Sequence, residues 1–232
     1  MKIALLGYGK MGKVIERIAL ERGHEIVLRK ASSDTFDGLE NADAAIDFSI
    51  PKAAVSNISA ALENGIPIVC GTTGWLDAYD EMTDLCNEKN GAFIYGSNFS
   101  LGVNIFFELN SHLAKIMSKF DQYKVAMEEI HHTEKLDAPS GTAISLAKDI
   151  IKNSDYTSWT LDFPSENEIL IDAKREENVP GTHAIIYNSD IDTIEIKHTA
   201  HNREGFALGA VIAAEWLAEK KGVYTMKDVL EL

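Results

Sequence analysis

The first hundred residues alternate between short apolar runs and longer segments whose apolar residues recur at helical spacing. The short runs are Lys2–Leu6, Glu25–Leu28, Ala44–Phe48, Ile66–Cys70 and Ala92–Tyr95. Continuous runs of this length suit strands buried on both faces. Between them lie Lys10–Arg22, Pro51–Asn64 and Leu76–Asn90, with helical patterns such as Met11, Val14, Ile15 and Ile18. Pro51 fits the first turn of a helix, where its missing N–H removes no bond. Strand–helix alternation predicts a Rossmann-like, doubly wound parallel sheet over residues 1–100, an α/β domain covered by helices on both faces.

Beyond Ser100 the rhythm changes. Leu101–Met117 and Ser140–Ile151 read as helices; Tyr123–Ile130, Ile169–Lys174, His183–Tyr187 and Thr193–His198 read as strands. In the last of these, Ile194, Ile196 and His198 share one face, and Glu195 and Lys197 the other. Asn188-Ser189-Asp190 supplies turn chemistry for a hairpin. Strands clustered in this way predict a middle α+β domain with an open mixed sheet over residues 101–204. The polar stretch Lys152–Asn167 reads as a surface connection. Helical periodicity returns over Phe206–Lys220, through Leu208, Val211, Ile212 and Trp216. Residues 205–232 are expected to pack back on the first domain and complete it.

Composition bears on function more than on fold. A chain of 232 residues, 45% hydrophobic and 25% charged, has the makeup of a globular protein rather than a disordered or collagen-like one. Two cysteines, Cys70 and Cys86, are too few for a disulfide scaffold. No run approaches the ~20 apolar residues of a membrane helix, and Ile3 to Leu6 is too short for a signal peptide. The expectation is a cytoplasmic protein with no membrane partner. Twenty-two Lys and Arg against 36 Asp and Glu leave a net charge of −14, which argues against a nucleic-acid binder. An anionic small molecule would have to meet positive groups gathered locally.

The segment Gly7-Tyr8-Gly9-Lys10-Met11-Gly12 follows the first strand and opens the first helix. Gly7 permits a tight turn, Gly9 lets backbone approach a diphosphate, and Gly12 allows close helix–strand packing, the pattern of a dinucleotide site. A purely structural turn would also use glycine. The end of the second strand lacks the acidic residue that binds a ribose diol: it reads Leu28-Arg29-Lys30-Ala31-Ser32-Ser33-Asp34. Lys30 with Ser32 and Ser33 would meet a 2′-phosphate, whereas Asp34 would have to swing round to a diol, so cofactor choice stays open. Gly71-Thr72-Thr73-Gly74 and Gly96-Ser97-Asn98-Phe99 end two later strands, where ligands of open α/β sheets bind.

The densest chemistry lies in Glu128–Thr142. A strand ends at His131 and His132, Lys135 follows, and Ser140 is placed to cap a helix whose Gly141 and Thr142 N–H groups would receive a carboxylate. Histidine exchanges protons near neutral pH, and Lys135 supplies the local positive charge that the net charge demands. Adjacent histidines on a strand face opposite ways, so one of the two faces a given ligand unless the strand has ended. A metal-binding reading of the pair, with His198 or His201, lacks a second close-spaced Cys or His pair; no metal is expected. His24, His112 and His183 have no comparable context, and His112 reads as a surface helix residue.

On these residues the chain resembles the dihydrodipicolinate reductase family of the diaminopimelate route to lysine, over nearly its whole length. The resemblance is carried by Gly7–Gly12, Asp47-Phe48-Ser49, Gly71–Gly74, Asn98–Asn104, His131–Thr142 and Arg203–Gly209. It implies an oxidoreductase dependent on NADH or NADPH that passes a hydride to an unsaturated ring and protonates the neighbouring carbon. By matching position, His131 is the implied proton donor or acceptor and Lys135 the second catalytic group. His132, Gly141 and Thr142 would hold the carboxylates of a cyclic dicarboxylate. Gly7, Tyr8, Gly9, Lys10, Met11, Gly12, Gly71, Thr72, Thr73, Gly96, Ser97, Asn98 and Phe99 would surround the cofactor. The middle domain would assemble a homotetramer through its open sheet. The missing acidic residue after the second strand means that strict NADH preference does not carry over. The chain is compact for the family, so neither do loop lengths around the middle sheet.

Two other readings use parts of the same pattern. A Rossmann-fold imino- or amino-acid dehydrogenase would need a different segment in place of His131–Thr142. A non-catalytic nicotinamide-binding regulator would have no use for both His131 and Lys135.

Overall fold

The computed structural model describes residues 1–31, 34–202 and 204–232. It divides into two compact units, Met1–Leu101 with Glu204–Leu232, and Gly102–Arg203. The first unit begins β1 (Lys2–Leu6), α1 (Lys10–Glu21), β2 (Glu25–Lys30), β3 (Ala44–Asp47), α2 (Pro51–Glu63), β4 (Ile68–Cys70), α3 (Tyr79–Glu88) and β5 (Ala92–Tyr95). The second holds α4 (Leu101–Met117), β6 (Lys124–His131), α5 (Gly141–Lys152), β7 (Ser158–Thr160), β8 (Glu168–Arg175), β9 (Gly181–Asn188) and β10 (Thr193–Ala200). The chain then returns to the first unit as α6 (Glu204–Leu217), β11 (Gly222–Tyr224) and α7 (Met226–Leu230).

The first sheet runs β2-β1-β3-β4-β5-β11, all parallel, with strand order reversing between β1 and β3. Both of its faces are covered, which explains the unbroken apolar runs. Ile3 and Leu5 pack with Ile15 and Ile18 of α1 and Val211 and Ala214 of α6. Ala4 and Leu6 point the other way, onto Ile58 and Leu62 of α2 and Met82 of α3. Each fully buried Leu or Ile contributes about 1.5–3 kcal/mol, so the two cores anchor the strand ends. Small residues let α6 lie close: a Cβ on Gly209 would stand 1.7 Å from the Phe99 carbonyl oxygen.

The doubly wound prediction holds, with differences at the margins. β2 extends to Lys30 because β1 pairs with it as far as Leu6 opposite Lys30. A 3₁₀ turn over Leu76–Ala78 delays α3 to Tyr79. The sixth strand, β11, and α7 were not visible in the pattern; β11 exists by pairing with β5.

The second sheet runs β10-β9-β6-β8-β7 and is mixed: β6, β8 and β7 are parallel, while β9 is antiparallel to both β6 and β10. The stretch expected as a connection carries the three-residue edge strand β7. Along β6, Val125, Met127, Glu129 and His131 alternate onto one buried face. Val125 and Met127 join a core with Leu146, Ala147 and Ile150 of α5 and Ile169, Ile171 and Ile185 of the neighbouring strands. The same face turns charged at the carboxyl end of β6. Ser140 caps α5, its hydroxyl accepting from Ala143 N at 3.1 Å. Among the described residues, no helix is long and apolar enough to cross a membrane.

Candidate active site

Where strand order reverses, open α/β sheets leave a crevice beyond the carboxyl ends of their strands. A cleft of about 290 Å³ opens there, lined by Gly7, Tyr8 and Gly9 after β1, Lys30 and Ala31 at the end of β2, Phe48, Ser49 and Ile50 after β3, and Ala53 and Asn57 of α2. Gly7 has φ +106°, and a Cβ there would lie 2.3 Å from the Phe48 carbonyl oxygen. Gly12 brings α1 against the turn, since its Cβ would lie 2.3 Å from the Gly7 oxygen. At Gly9 nothing lies within 4 Å of the Cβ position, so its bare backbone is open. Gly9 is the N-cap of α1 without a capping side chain, and the Lys10, Met11 and Gly12 N–H groups have no acceptor among the described residues. A positive helix end, exposed backbone and a crevice together fit the diphosphate of a dinucleotide.

Two basic residues end β2, and they behave differently. Arg29 is bound to Glu16, with Nε at 2.7 Å, and Glu16 also accepts from the Tyr8 hydroxyl. Lys30 lines the cleft, 8% exposed, with Nζ 4.7 Å from the Phe36 ring centre. Ser32 and Ser33, read with Lys30 as ligands of a 2′-phosphate, lie outside the described residues, as does Arg203. Asp34, the alternative partner for a diol, accepts from Ala31 N–H at 2.8 Å within its own turn.

The turns after β4 and β5 do not line this cleft with their side chains. A Cβ at Gly71 would stand 2.2 Å from the Phe48 ring, so glycine is required for the turn to pass. Thr72 is buried; its hydroxyl donates to Asp47 at 2.7 Å and accepts from Ser49 N–H at 2.8 Å. Asp47 is itself fully buried and also accepts from Asn57 at 2.7 Å, and burial raises its carboxyl above the usual range. This network ties the ends of β3 and β4 to α2 beneath the cleft. Thr73 and Ser97 are exposed, Gly96 and Asn98 half-buried, and the Phe99 ring is buried 5.8 Å from Phe48.

In the second unit, the carboxyl end of β6 gathers a cluster of opposite charges. His131 is 7% exposed, with Nδ1 buried and unbonded 3.8 Å from Glu129 Oε2. Burial lowers the His131 pKa, and the Glu129 carboxylate opposes that shift. Glu129, fully buried, accepts from Ser140 N–H at 2.9 Å and from the Arg175 guanidinium at 3.3 Å. His183 stands edge-on to His131, ring centres 5.1 Å apart, and meets the Ser140 hydroxyl at 3.1 Å; burial holds its pKa at about 4. His183, Glu129 and Arg175 thus surround the His131 ring.

The loop from β6 to α5 carries the remaining groups. Lys135 is half-buried, with Nζ 2.8 Å from both Asp137 oxygens, and that contact lowers the Asp137 pKa. Arg175 also donates to the Lys135 carbonyl at 3.3 Å and the Asp137 carbonyl at 2.6 Å, so it holds the loop's backbone. Gly141 and Thr142 open α5, where the first N–H groups of a helix have no intrahelical acceptor. His132 falls just past the end of β6 and lines two small cavities of about 270 and 190 Å³, one beside Glu134 and Glu177, the other beside Val179 and Pro180.

The sequence matches the dihydrodipicolinate reductase N-terminal family model over residues 1–99 and the C-terminal one over residues 102–230. The chain belongs to the dihydrodipicolinate reductase family. Among curated dihydrodipicolinate reductase relatives, the 4-hydroxy-tetrahydrodipicolinate reductase of Christiangramia forsetii is 56% identical over 238 aligned positions, covering 99% of this chain and 98% of the relative. That of Archaeoglobus fulgidus is 34% identical, with both chains fully covered. The fold is shared with a solved dipicolinate-bound dihydrodipicolinate reductase from Paenisporosarcina sp. TG-14, at TM-score 0.76 and 22% identity over 97% of each chain. A probable dehydrogenase from Thermotoga maritima shares it more loosely, at TM-score 0.59 and 10% identity over 99% of this chain and 92% of that one.

Sequence reasoning missed Glu129, Arg175 and His183. The alternation along β6 placed Glu129 on the His131 face; His183 and Arg175 arrive through register, with Glu129 opposite His183 and His131 opposite Arg175. Glu129, His131 and His183 bring one carboxylate oxygen and two ring nitrogens within 4.8 Å of one another, donors of the kind zinc takes. The same carboxylate also accepts from Ser140 N–H and faces the Arg175 guanidinium. His198 packs against Phe106, ring centres 6.0 Å apart, rather than joining His131.

Proposed function

We propose that the chain acts as a 4-hydroxy-tetrahydrodipicolinate reductase, with His131 as the acid that protonates the ring and Lys135 as the group that receives a substrate carboxylate. The observation that carries this reading is the β6–α5 segment, where a shielded histidine, a lysine and a helix start lie within twelve residues. A reduced nicotinamide dinucleotide, NADH or NADPH, supplies a hydride when bound. Gly7, Gly9 and the first turn of α1 receive its diphosphate, and Lys30 stands where a 2′-phosphate would sit. The substrate is a cyclic dicarboxylate: Lys135 exchanges Asp137 for a substrate carboxylate, while the Gly141 and Thr142 N–H groups and His132 take the other contacts. Charge-assisted bonds of this kind contribute about 1.5–3 kcal/mol each. His131 exchanges its proton through Nε2, because Nδ1 is sealed against Glu129.

The test is oxidation of NADH and NADPH in parallel, with substrate generated by the preceding synthase. Turnover is expected with at least one cofactor, and Lys30→Ala is expected to lower the NADPH/NADH efficiency ratio by about tenfold, the loss of one charged hydrogen bond. Folded protein that binds cofactor and turns over neither would remove the substrate assignment.

The proposal extends to a homotetramer built on the open sheet of the second unit. β10 is an outer strand with Ile194 exposed, and α4 exposes Ile105, Leu109 and Ile116. Sedimentation at four times the chain mass is expected; a monomer's mass would count against it. A cytoplasmic setting suits Cys70 and Cys86, both free and buried.

A further inference from the structure

Glu129 is the most completely shielded charge in the second unit's cluster, and it holds the last residue of the loop that carries Lys135 through Ser140 N–H. Its two oxygens are divided. Oε1 faces the Arg175 guanidinium at 3.3 Å, and Oε2 accepts from Ser140 N–H at 2.9 Å. Oε2 also stands 3.8 Å from the buried, unbonded Nδ1 of His131 and 3.9 Å from Nε2 of His183. The His131–Glu129 separation is too long for a hydrogen bond and short enough to become one by a small ring movement. His183 has the Ser140 hydroxyl as a partner; His131 Nδ1 has none.

We infer that Glu129 is a positioning residue for proton transfer: it keeps a proton on His131 Nδ1, orients the ring, and stabilises the imidazolium, so that Nε2 is the nitrogen that gives its proton away. A carboxylate behind an imidazole fixes the tautomer in this way in hydrolytic sites. The same oxygen holds Ser140 N–H, so one buried carboxylate sets both the proton donor and the start of α5, where Gly141 and Thr142 lie. The groups facing His131 are Glu129 from β6, Lys135 and Asp137 from the following loop, Arg175 from β8 and His183 from β9. Lys135 and Arg175 oppose the charged ring, and Asp137 is exposed and paired with Lys135, which leaves Glu129 as the buried counter-ion. What the proton does in turnover rests on the reductase reading above; where it sits does not.

The test follows the His131 ring by ¹⁵N and ¹H NMR in the full chain without substrate, through its pH titration. In Glu129→Gln the midpoint is expected to fall by about one pH unit or more, as on losing a nearby opposite charge. In Arg175→Gln it is expected to rise. If Glu129 serves structure alone, both substitutions loosen the cluster, and both midpoints drift up toward the ordinary histidine value as burial is relieved. A midpoint that rises or stays put in Glu129→Gln therefore overturns the inference. Should that variant not fold, the unaltered protein decides: the neutral His131 ring is expected as the Nδ1–H tautomer, and an Nε2–H ring defeats the idea. Where turnover is measurable, the alkaline fall of kcat moves to lower pH in Glu129→Gln, while the affinity for NADH stays unchanged. A shifted titration without any turnover would leave this inference standing and remove the reductase reading instead.

Discussion

His131→Ala is expected to lower turnover by about 10²–10⁴-fold, the range that a positioned general acid contributes, and to leave NADH and NADPH affinity within about twofold. The basis is the division of labour in the structure. His131 belongs to the second unit and the diphosphate cleft is built from residues of the first. Lys135→Ala is expected to cost about 10–100-fold in efficiency, the loss of one charge-assisted contact, chiefly through weaker substrate binding. Direct cofactor titration by fluorescence, set beside steady-state rates, checks both variants. If either loses cofactor affinity in step with turnover, the roles given to His131 and Lys135 are wrong.

The second large effect separates Gly7 from Gly9. Gly7→Ala forces a side chain into φ +106° and toward the Phe48 carbonyl, 2.3 Å away, so it is expected to lower stability by about 1–3 kcal/mol in backbone strain alone, with more from the collision. Cofactor binding is expected to fail with it. Gly9→Ala meets no neighbour within 4 Å, so its melting temperature is expected to match the unaltered protein. Its NADH affinity is nevertheless expected to fall, by about tenfold or more, if the diphosphate approaches the backbone where the added methyl would stand. Thermal melts and NADH titrations on the two variants distinguish the roles. Unchanged NADH affinity in Gly9→Ala would falsify the placement of the diphosphate.

What the sequence disclosed depends on how local each feature is. The strands of the first sheet are legible because both faces of the sheet are buried, so Ile3 to Leu6 is apolar throughout. Ser140 is legible as a cap because capping acts over three residues. β7 and β11 are not, since Ser158–Thr160 and Gly222–Tyr224 are three-residue strands with no alternation of their own. His183 was passed over because nothing near it in the chain is catalytic. Its neighbourhood with Glu129 comes from the antiparallel register of β9 on β6, a long-range pairing. Glu129 was within reach: once Tyr123–Ile130 is a strand, residue 129 must share a face with His131.

The return of α6, β11 and α7 to the first unit also sets an order of assembly on the ribosome. Residues 102–203 leave the exit tunnel before the strand and helices that finish the six-stranded sheet have been made. Until then Ile3, Leu5, Ile46 and Val69 lack the covering of Val211, Ala214 and Leu217. Domains generally fold as units during synthesis, so the inserted unit is free to settle while the dinucleotide unit waits, apolar on one face, for the last stretch of chain. A nascent chain stalled before Glu204 is thus the species that chaperones and proteases would meet with the part of that face that α6 covers still bare.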